Sequence, residues 1–174
     1  MSEGVRFRRL QAGDLVGGFD AGSSPDEMKL TEFFRSYARQ HQTRRQSVTT
    51  IALVDSADEG EILAGFATTC PGSVSGDLVR KVDRRLPRHS TPVLVLAKMA
   101  TDARCRRRGI GRALIEQVVL AHAEHLASEH GCAGVYADAK TTAVAFYAAL
   151  GFHALSADAK DGRPVPMFRP LSRG

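Results

Sequence analysis

The chain has 174 residues and a net charge of +5, and 43% of its residues are hydrophobic. These values are typical of a globular protein, and the length predicts a single domain over residues 1–174. No apolar run is long enough to span a membrane, and the N-terminal residues lack the apolar core of a signal peptide, so we expect a protein that is neither membrane-spanning nor secreted. Of the 24 basic residues, 19 are arginine, which is consistent with phosphate-bearing partners or with a plain bias toward arginine.

Cysteine and histidine usage predicts a reduced, cytoplasmic protein without a metal site. The chain has three cysteines in no paired spacing: Cys70, Cys105 and Cys132. An odd, unpaired set of this kind is typical of a reducing compartment. Three histidines precede the last cysteine: His122, His125 and His130. Because no second paired metal-binding motif accompanies them, we interpret them as solvent-facing.

The first half of the chain predicts a strand, a helix and a hairpin. Residues 5–10 alternate apolar and basic side chains, as a strand does. Ser24 as N-cap and Pro25 at the first helical position predict the start of a helix. The apolar side of this helix is predicted to consist of Met28, Leu30, Phe33, Phe34, Tyr37 and Ala38. Residues 47–55 and 61–70 are rich in β-forming side chains and predict a hairpin.

The second half begins with residues 71–91, which predict a long irregular connection. Residues 92–101 are nearly all apolar, as in a strand that is buried on both faces. From Gly109 to about Glu129, apolar residues recur at helical spacing. These residues are Ile110, Leu114, Val118, Ala121 and Leu126.

The last elements alternate in the same way. They are predicted as a strand over residues 133–139, a helix over 141–150 and a strand over 164–171. Gly151 is suited to the left-handed conformation that ends a helix. This alternation predicts an α/β or α+β sandwich.

A run of arginines and glycines, RCRRRGIGRAL at residues 104–114, predicts an anion site. It follows an apolar strand and opens a helix, so several backbone N–H groups are available at one helix start. Gly109 and Gly111 let a phosphate group approach the main chain closely. The run lacks the third glycine of a dinucleotide fingerprint and the Gly-Lys-Ser/Thr of a Walker loop, which excludes both.

This run follows VLAKMATD and precedes FYAALGF at residues 146–152. Together the three segments resemble the GNAT superfamily of acyl-CoA N-acetyltransferases, whose pyrophosphate loop has the form Q/R-x-x-G-x-G/A. The resemblance implies a mixed central sheet of six or seven strands flanked by about four helices, with acetyl-CoA as the cofactor. The implied cofactor-binding residues are Met99, Ala100, Thr101, Arg106, Arg107, Arg108, Gly109, Ile110, Gly111, Arg112 and Phe146. Lys140 departs from the asparagine that is common seven residues before the tyrosine.

The segments at residues 18–40 and 86–102 narrow the resemblance to the GNAT toxins of bacterial toxin–antitoxin pairs. The chain departs from their pattern at Ala21, Lys98, Met99 and Arg107. The resemblance implies that the acceptor is the α-amino group of aminoacyl-tRNA. It also implies a ribbon-helix-helix antitoxin as a partner and a homodimer as the assembly.

The predicted strand at residues 92–101 carries no carboxylate, and the first one follows it at Asp102. Many acetyltransferases place a glutamate general base on this strand. An α-amino group has a pKa of about 7.7–8.0 and a lysine side chain one of about 10.4, so far more of the α-amine is neutral near pH 7. The missing base therefore favours an α-amine over a lysine as the acceptor.

The resemblance to the GNAT superfamily implies that Tyr147 is the general acid, which donates its proton to the coenzyme A sulfur. The alternative from spacing alone is a core tyrosine, because Val144 and Leu150 lie on the same apolar helix face. Three neighbouring or facing residues are interpreted as core: Leu114, Phe146 and Phe152.

Two basic segments are predicted to contact tRNA phosphates. Their residues are Arg39, Arg44, Arg45, Arg84, Arg85 and Arg88. Residues 71–91 contain no aromatic side chain, so base stacking is not expected there. Arginines that only keep the protein in solution are the alternative interpretation.

Two further functions stay open. The first is a GNAT enzyme that acetylates a small amine, a polyamine or a protein N-terminus. The second is a coenzyme A-binding module without turnover, or one that serves mainly as the partner of an antitoxin.

Overall fold

The computed structural model of the protein describes residues 4–156 and 162–173. One mixed sheet of seven strands has the order β1-β2-β3-β4-β5-β7-β6. The strands are β1 Arg6–Arg9, β2 Val48–Ser56, β3 Gly60–Val74, β4 Thr91–Thr101, β5 Gly134–Ala139, β6 His153–Ala154 and β7 Val165–Pro170. The α-helices are α1 Pro25–Glu32, α2 Ala38–Thr43, α3 Gly76–Val79, α4 Ile110–Ala113, α5 Leu120–Glu129 and α6 Val144–Ala149.

Wider π-helical turns join two pairs of these helices into continuous segments. Phe33–Tyr37 joins α1 to α2, and Leu114–Val119 joins α4 to α5. Within the described residues the helices therefore form four segments beside the seven strands. This confirms the predicted fold class, with six or seven strands and about four helices.

The chain divides into two compact units. The first comprises Met1–Cys70 and Lys98–Val118, and the second Pro71–Ala97 and Val119–Gly174. In the first unit β1 pairs antiparallel with β2, and β2 pairs antiparallel with β3 in the predicted hairpin. In the second unit β4 pairs parallel with β5, and β7 pairs antiparallel with both β5 and β6.

The core of the first unit is built around aromatic rings. Phe34 stacks on Phe66 with 4.6 Å between ring centroids, and Phe19 meets Phe66 edge-on at 5.4 Å. All three side chains are at most 1% exposed. This cluster packs the segment before α1, the helix and the hairpin against one another.

The start of α1 lies where the sequence predicts it. Ser24 is the N-cap, Pro25 occupies the first turn, and Glu27 closes a capping box with Ser24. The predicted apolar side of the helix is wrong at Met28 and Tyr37, which are 59% and 45% exposed. The π-helical turn at Phe33–Tyr37 changes the angular spacing of the side chains, so the helix continues with Phe34 and Ala38 toward the core and Tyr37 outward.

The core of the second unit has fewer buried residues and is mostly aliphatic. It is formed by Val79, Val93, Leu155 and Phe168. Strand β4 is buried in its first half, but Ala97 and Lys98 are exposed and the last three residues are only half-buried. The prediction of burial on both faces is therefore wrong for the end of β4, whose pairing with β5 covers Leu94 to Leu96.

Residues 71–91 are more regular than predicted. Strand β3 continues to Val74, and α3 follows at Gly76–Val79. Gly76 is buried, and an added Cβ there would lie 2.1 Å from the Pro87 carbonyl oxygen. The connection therefore folds back closely on itself. Residues 80–90 supply the loop that remains.

The helical segment from Ile110 to Glu129 follows the prediction with one shift. Ile110, Leu114 and Val118 are buried as predicted, but Ala123 is buried in place of Ala121. The π-helical turn at Leu114–Val119 contains more residues per turn than an α-helix. The residues that face the core after this turn therefore lie further along the chain than regular helical spacing predicts. In the part of the chain that the structure describes, no helix has the length and apolar character needed to cross a membrane.

Candidate functional site

The turn between β4 and α4 places backbone N–H groups at one point of the first unit. After β4 the chain makes a 3-10 turn at Ala103–Cys105 and then enters α4 at Ile110. Arg107 and Gly109 have left-handed φ values of 60° and 75°. The N–H groups of the first helical turn have no acceptor within the helix, so they are available to an anion.

A cationic cleft of about 470 Å³ opens at this turn. Its lining residues are Arg107, Arg108, Gly109, Arg112, Ala113, Glu116 and Gln117. Arg112 is paired with Glu116 at 3.0 Å, and this leaves an excess of positive charge from Arg107 and Arg108. The lining is suited to a ligand that carries more than one phosphate group.

Only some of the residues predicted to bind the cofactor line the cationic cleft. Arg107, Arg108, Gly109 and Arg112 line the cationic cleft. Ile110 is 2% exposed, so its side chain belongs to the core and only its main chain is available.

The end of β4 is held close to its neighbouring strand. Met99, Ala100 and Thr101 are half-buried there. A Cβ added at Gly65 would lie 3.0 Å from the Ala100 carbonyl oxygen, so Gly65 permits this close approach.

The Arg106 side chain does not line the cationic cleft. Its Nη2 atom donates to the Ala21 carbonyl oxygen at 2.5 Å and to Glu27 Oε1 at 2.7 Å. Arg106 therefore connects the loop to the start of α1. Nothing in the local sequence pattern indicated this contact, because the partners are separated by 79 and 85 residues.

Asp102 is a buried carboxylate that sequence reasoning noted only as the first acid after the strand. It is 0% exposed. Its Oδ2 accepts from the Asp20 N–H at 3.1 Å, and its Oδ1 accepts from both the N–H and the Nε of Arg104 at 2.9 Å. Burial by itself raises the pKa of Asp102, but the hydrogen bonds from Arg104 and Asp20 outweigh it, so the pKa lies below its ordinary value. Asp102 is therefore ionised at neutral pH and fully engaged, which makes it a structural group rather than a base.

A second cleft of about 540 Å³ lies beside α1 in the first unit. It is lined by Asp20, Gly22, Ser23, Met28, Thr31, Glu32, Arg35 and Ser36. Sequence reasoning did not identify this cleft. The sequence pattern places Met28 on the apolar side of the helix, so it gave no signal of this cleft.

Tyr147 lies on α6 in the second unit. Its ring is half-buried and meets Phe146 and Phe152 edge-on, at centroid distances of 5.3 and 5.2 Å. Burial raises the pKa of Tyr147 to about 12, so its hydroxyl carries a proton throughout the physiological range. Leu114 and Phe152 are core residues as predicted, whereas Phe146 is 37% exposed and the core interpretation of it is wrong.

The six arginines predicted to contact tRNA differ in their availability. Arg39 donates to the carbonyl oxygens of Gln11 and Asp14, and Arg85 pairs with Asp83 at 3.0 Å. The other four side chains are exposed: Arg44, Arg45, Arg84 and Arg88.

Arg84 and Arg85 also line a groove of about 410 Å³ in the second unit, together with Arg173. Over residues 4–156 and 162–173, no three His, Cys, Asp or Glu side chains are grouped as metal ligands would be.

Comparison with known proteins identifies a matching family and several solved structures with a similar fold. The sequence profile of the Acetyltransferase (GNAT) domain matches residues 56–154. A solved structure described as a bacterial toxin is 24% identical, with a TM-score of 0.82 over 95% of this chain and 90% of that chain. AtaT complexed with acetyl-methionyl-tRNAfMet is 18% identical, with a TM-score of 0.78 over 95% and 94% of the two chains. A tyrosine-to-phenylalanine mutant of KacT is 16% identical, with a TM-score of 0.78 over 95% of each chain. No curated protein matches the chain.

Proposed function

The chain belongs to the GNAT acetyltransferase family, and we propose that it moves an acetyl group from acetyl-CoA to the α-amino group of aminoacyl-tRNA. The observation that carries this proposal is the cationic cleft formed by Arg107, Arg108 and Arg112 around the left-handed Gly109. The acceptor is supported by the shared fold of AtaT, a protein solved with acetyl-methionyl-tRNAfMet, over 95% of this chain. We propose one catalytic domain over residues 1–174, acting in the cytoplasm.

The residues of the first unit would bind the coenzyme through its phosphates and its pantetheine arm. The main-chain N–H groups from Arg107 to Gly111 would donate to the pyrophosphate, and the Arg107, Arg108 and Arg112 guanidinium groups would balance its charge. The main chain of Met99 to Thr101, at the open end of β4, would pair with the amide groups of the arm as an added strand does. We also assign the exposed ring of Phe146 to the coenzyme surface.

Acetyl-CoA supplies a thioester whose carbonyl carbon is open to attack by an amine. In the proposed reaction the neutral α-amine forms the new C–N bond, the C–S bond breaks, and the Tyr147 hydroxyl donates its proton to the departing sulfur. The amine loses its surplus proton to solvent, and Tyr147 regains a proton from solvent. Because Asp102 accepts four hydrogen bonds and holds its charge, we assign it no part in deprotonating the amine.

The pH dependence of this reaction follows from the two titrating groups. An α-amine of pKa about 7.7–8.0 must be neutral to attack, so kcat/KM rises about tenfold per pH unit below that range and then levels off. Tyr147, with a pKa of about 12, keeps its proton, so we expect no falling limb between pH 8 and 9. Initial rates of acetyl transfer from pH 6 to 9 check this, and a fall in rate above pH 8 would contradict it.

The left-handed turn at Gly109 provides a second test. An added Cβ at Gly109, φ +75°, meets no atom within 4 Å, so alanine there suffers only backbone strain, of about 1–2 kcal/mol. Gly60, φ +74°, has the same open surroundings in the β2–β3 turn and is the matched control. We expect both alanine variants to lose similar stability in urea, but only Gly109→Ala to weaken acetyl-CoA binding in calorimetry. Equal binding by the two variants would show that the loop does not hold the coenzyme.

The proposed contact of the exposed arginines of the second unit with tRNA is tested by the salt dependence of tRNA binding. If Arg84 and Arg88 contact tRNA phosphates, replacing both with glutamine reduces the slope of log K against log salt by roughly 1–2 for charged tRNA. Arg6→Gln is the control, because Arg6 is an exposed arginine paired with Asp55 outside both basic segments. An unchanged slope in the double variant would assign these arginines to the solvated surface.

The decisive experiment is the transfer of labelled acetyl from acetyl-CoA to a bulk charged-tRNA pool, beside the same pool after deacylation. Label on charged tRNA alone supports the aminoacyl acceptor. Label on neither pool, with tight acetyl-CoA binding, would favour a small amine or a protein N-terminus. Acetyl-CoA binding without any acceptor would leave a coenzyme-binding module.

A toxin-like role would bring two partners. AtaT has been solved with the C-terminus of the antitoxin AtaR, and we propose a small ribbon-helix-helix antitoxin and a second copy of this chain as partners here. Light scattering of the protein alone measures the second of these, and a monomeric mass would contradict it.

A further inference from the structure

We infer that the Arg106 side chain is a positioning residue for the acceptor, and not a ligand of the coenzyme phosphates. The inference rests on the proposed acetyl transfer and assigns the 540 Å³ cleft beside α1 to the acceptor amine. Arg106 would act through Glu27 and Ala21, which fix one wall of that cleft.

The contacts of Arg106 extend the capping box of α1. Glu27 uses one carboxylate oxygen to accept from the Ser24 N–H at 3.0 Å, and Ser24 Oγ accepts from the Glu27 N–H at 3.2 Å. The other oxygen of Glu27 accepts from Arg106 Nη2 at 2.7 Å, and the same nitrogen donates to the Ala21 carbonyl oxygen at 2.5 Å. The guanidinium therefore ties the segment before the helix to the first turn of the helix.

Gly22 leaves room for this arrangement. Its φ is +129°, and an added Cβ would lie 2.2 Å from Arg106 Nη2 and 2.3 Å from Glu27 Oε2. A side chain at this position would displace the arginine or the carboxylate, and their contact would be lost. The hydrogen bonds from Ser24, with a smaller contribution from Arg106, hold the pKa of Glu27 below its ordinary value, so the Glu27 carboxylate stays ionised at neutral pH.

The pair forms part of the structure around the second cleft. Gly22 and Ser23 line the cleft from the segment that Arg106 holds, and Met28 lines it from the residue after Glu27. On the same segment, the Ala103 N–H donates to the Asp20 carbonyl oxygen at 2.8 Å. The turn between β4 and α4 thus sets the position of the cleft wall at two places, once by the main chain of Ala103 and once by the side chain of Arg106.

The charge distribution separates the roles of the arginines. Arg107, Arg108 and Arg112 line the cationic cleft, whereas the Arg106 guanidinium is occupied by a carboxylate and a carbonyl oxygen. Turning Arg106 toward a phosphate would leave Glu27 without its cation and would release Ala21, which lies between the lining residues Asp20 and Gly22. We therefore place the function of its side chain in the alignment of the acceptor.

The test compares acetyl-CoA binding with acceptor use in three variants: Glu27→Gln, Arg106→Gln and Arg106→Lys. Glutamine at position 27 can still close a capping box, so E27Q removes the ion pair and keeps the helix start. Lysine at position 106 keeps the charge but, as a point charge, cannot span both acceptors as the guanidinium does. Glu61→Gln is the matched control, because Glu61 pairs with Arg6 on the β2–β3 hairpin, away from both clefts.

We expect E27Q and R106Q to keep the acetyl-CoA Kd within about twofold and to raise the KM for charged tRNA about tenfold, since small displacements of a positioned substrate are costly. R106K should recover part of the loss, and E61Q should match the wild type in both measurements. Loss of acetyl-CoA binding in R106Q, tighter binding in E27Q, or an unchanged acceptor KM in both would each overturn the inference.

A measurement on the wild-type protein distinguishes a failure of the proposed acceptor from a failure of the role inferred for Arg106. If it transfers no acetyl group to charged tRNA, the proposed acceptor is wrong. The acetyl-CoA Kd of R106Q, measured by calorimetry without any acceptor, still decides between a positioning residue and a phosphate ligand. A circular dichroism melt of each variant shows that the fold is kept.

Discussion

Tyr147→Phe is expected to lower kcat for acetyl transfer by about 10²–10⁴-fold, which is the usual contribution of a positioned general acid. The variant removes one hydroxyl from a half-buried ring and keeps its edge-on contacts with Phe146 and Phe152. The acetyl-CoA Kd should therefore stay within about twofold, because the hydroxyl is needed when the sulfur departs rather than when the coenzyme binds. Single-turnover rates beside calorimetric binding measure the two quantities separately.

Tyr136→Phe is the control for this substitution. Tyr136 has a pKa that burial, with its hydrogen bond to Asp138, also raises to about 12, and it donates to Asp138 at 2.8 Å. It shares the chemistry of Tyr147 but lies on β5 and has no proposed role in the reaction. Wild-type rates in Y136F and a large loss in Y147F would support the general acid, whereas wild-type rates in both would remove Tyr147 from the mechanism.

Asp102→Ala is expected to lower the free energy of unfolding by about 3 kcal/mol, because it removes a buried carboxylate and leaves part-buried hydrogen-bond donors without their acceptor. The Asp20 N–H loses its acceptor oxygen on Asp102, and the N–H of Arg104 loses its partner as well. The guanidinium of Arg104 is half-exposed and can turn to water or to Glu59, which limits the loss. The urea midpoint measures the effect, and a loss under about 1 kcal/mol would contradict it.

Asp102→Asn and Glu59→Gln are two comparison variants, and each should lower the free energy of unfolding less than Asp102→Ala does. Asparagine keeps one acceptor oxygen and should lose less than alanine, and Glu59→Gln breaks only an exposed pair with Arg104, worth about 0–1 kcal/mol. Since the pKa of Asp102 is lowered in the folded protein, its charge stabilises the fold above the unfolded pKa of about 3.9. The difference between wild type and D102N should therefore shrink as the pH falls below about 4.

The elements that could be predicted from the sequence are those whose cause is local. The capping box at Ser24 and Glu27, the hairpin and the left-handed Gly151 depend on residues a few positions apart. The helix start at Gly109 could be predicted for the same reason, because the glycine and the helix that follows it are adjacent in the chain.

The features that could not be predicted depend on distant partners or on helix geometry. Asp102 meets Asp20 across 82 residues, and Arg106 meets Glu27 across 79. The apolar spacing also did not predict that Met28 and Phe146 are exposed. Spacing shows which residues share a helix face, but it does not show whether another element covers that face.

The π-helical turn at Leu114–Val119 has a consequence for how the length of this chain could change. A wide turn accommodates a residue beyond what an ordinary helix needs, so a single deletion within Leu114–Val119 would leave regular α-turns throughout the segment. Ala123 and the residues after it would still face the side they face now. The same deletion within α5 would rotate every following side chain by roughly 100° about the helix axis. Chain-length variation in this helix is therefore tolerated at its middle and penalised at its end.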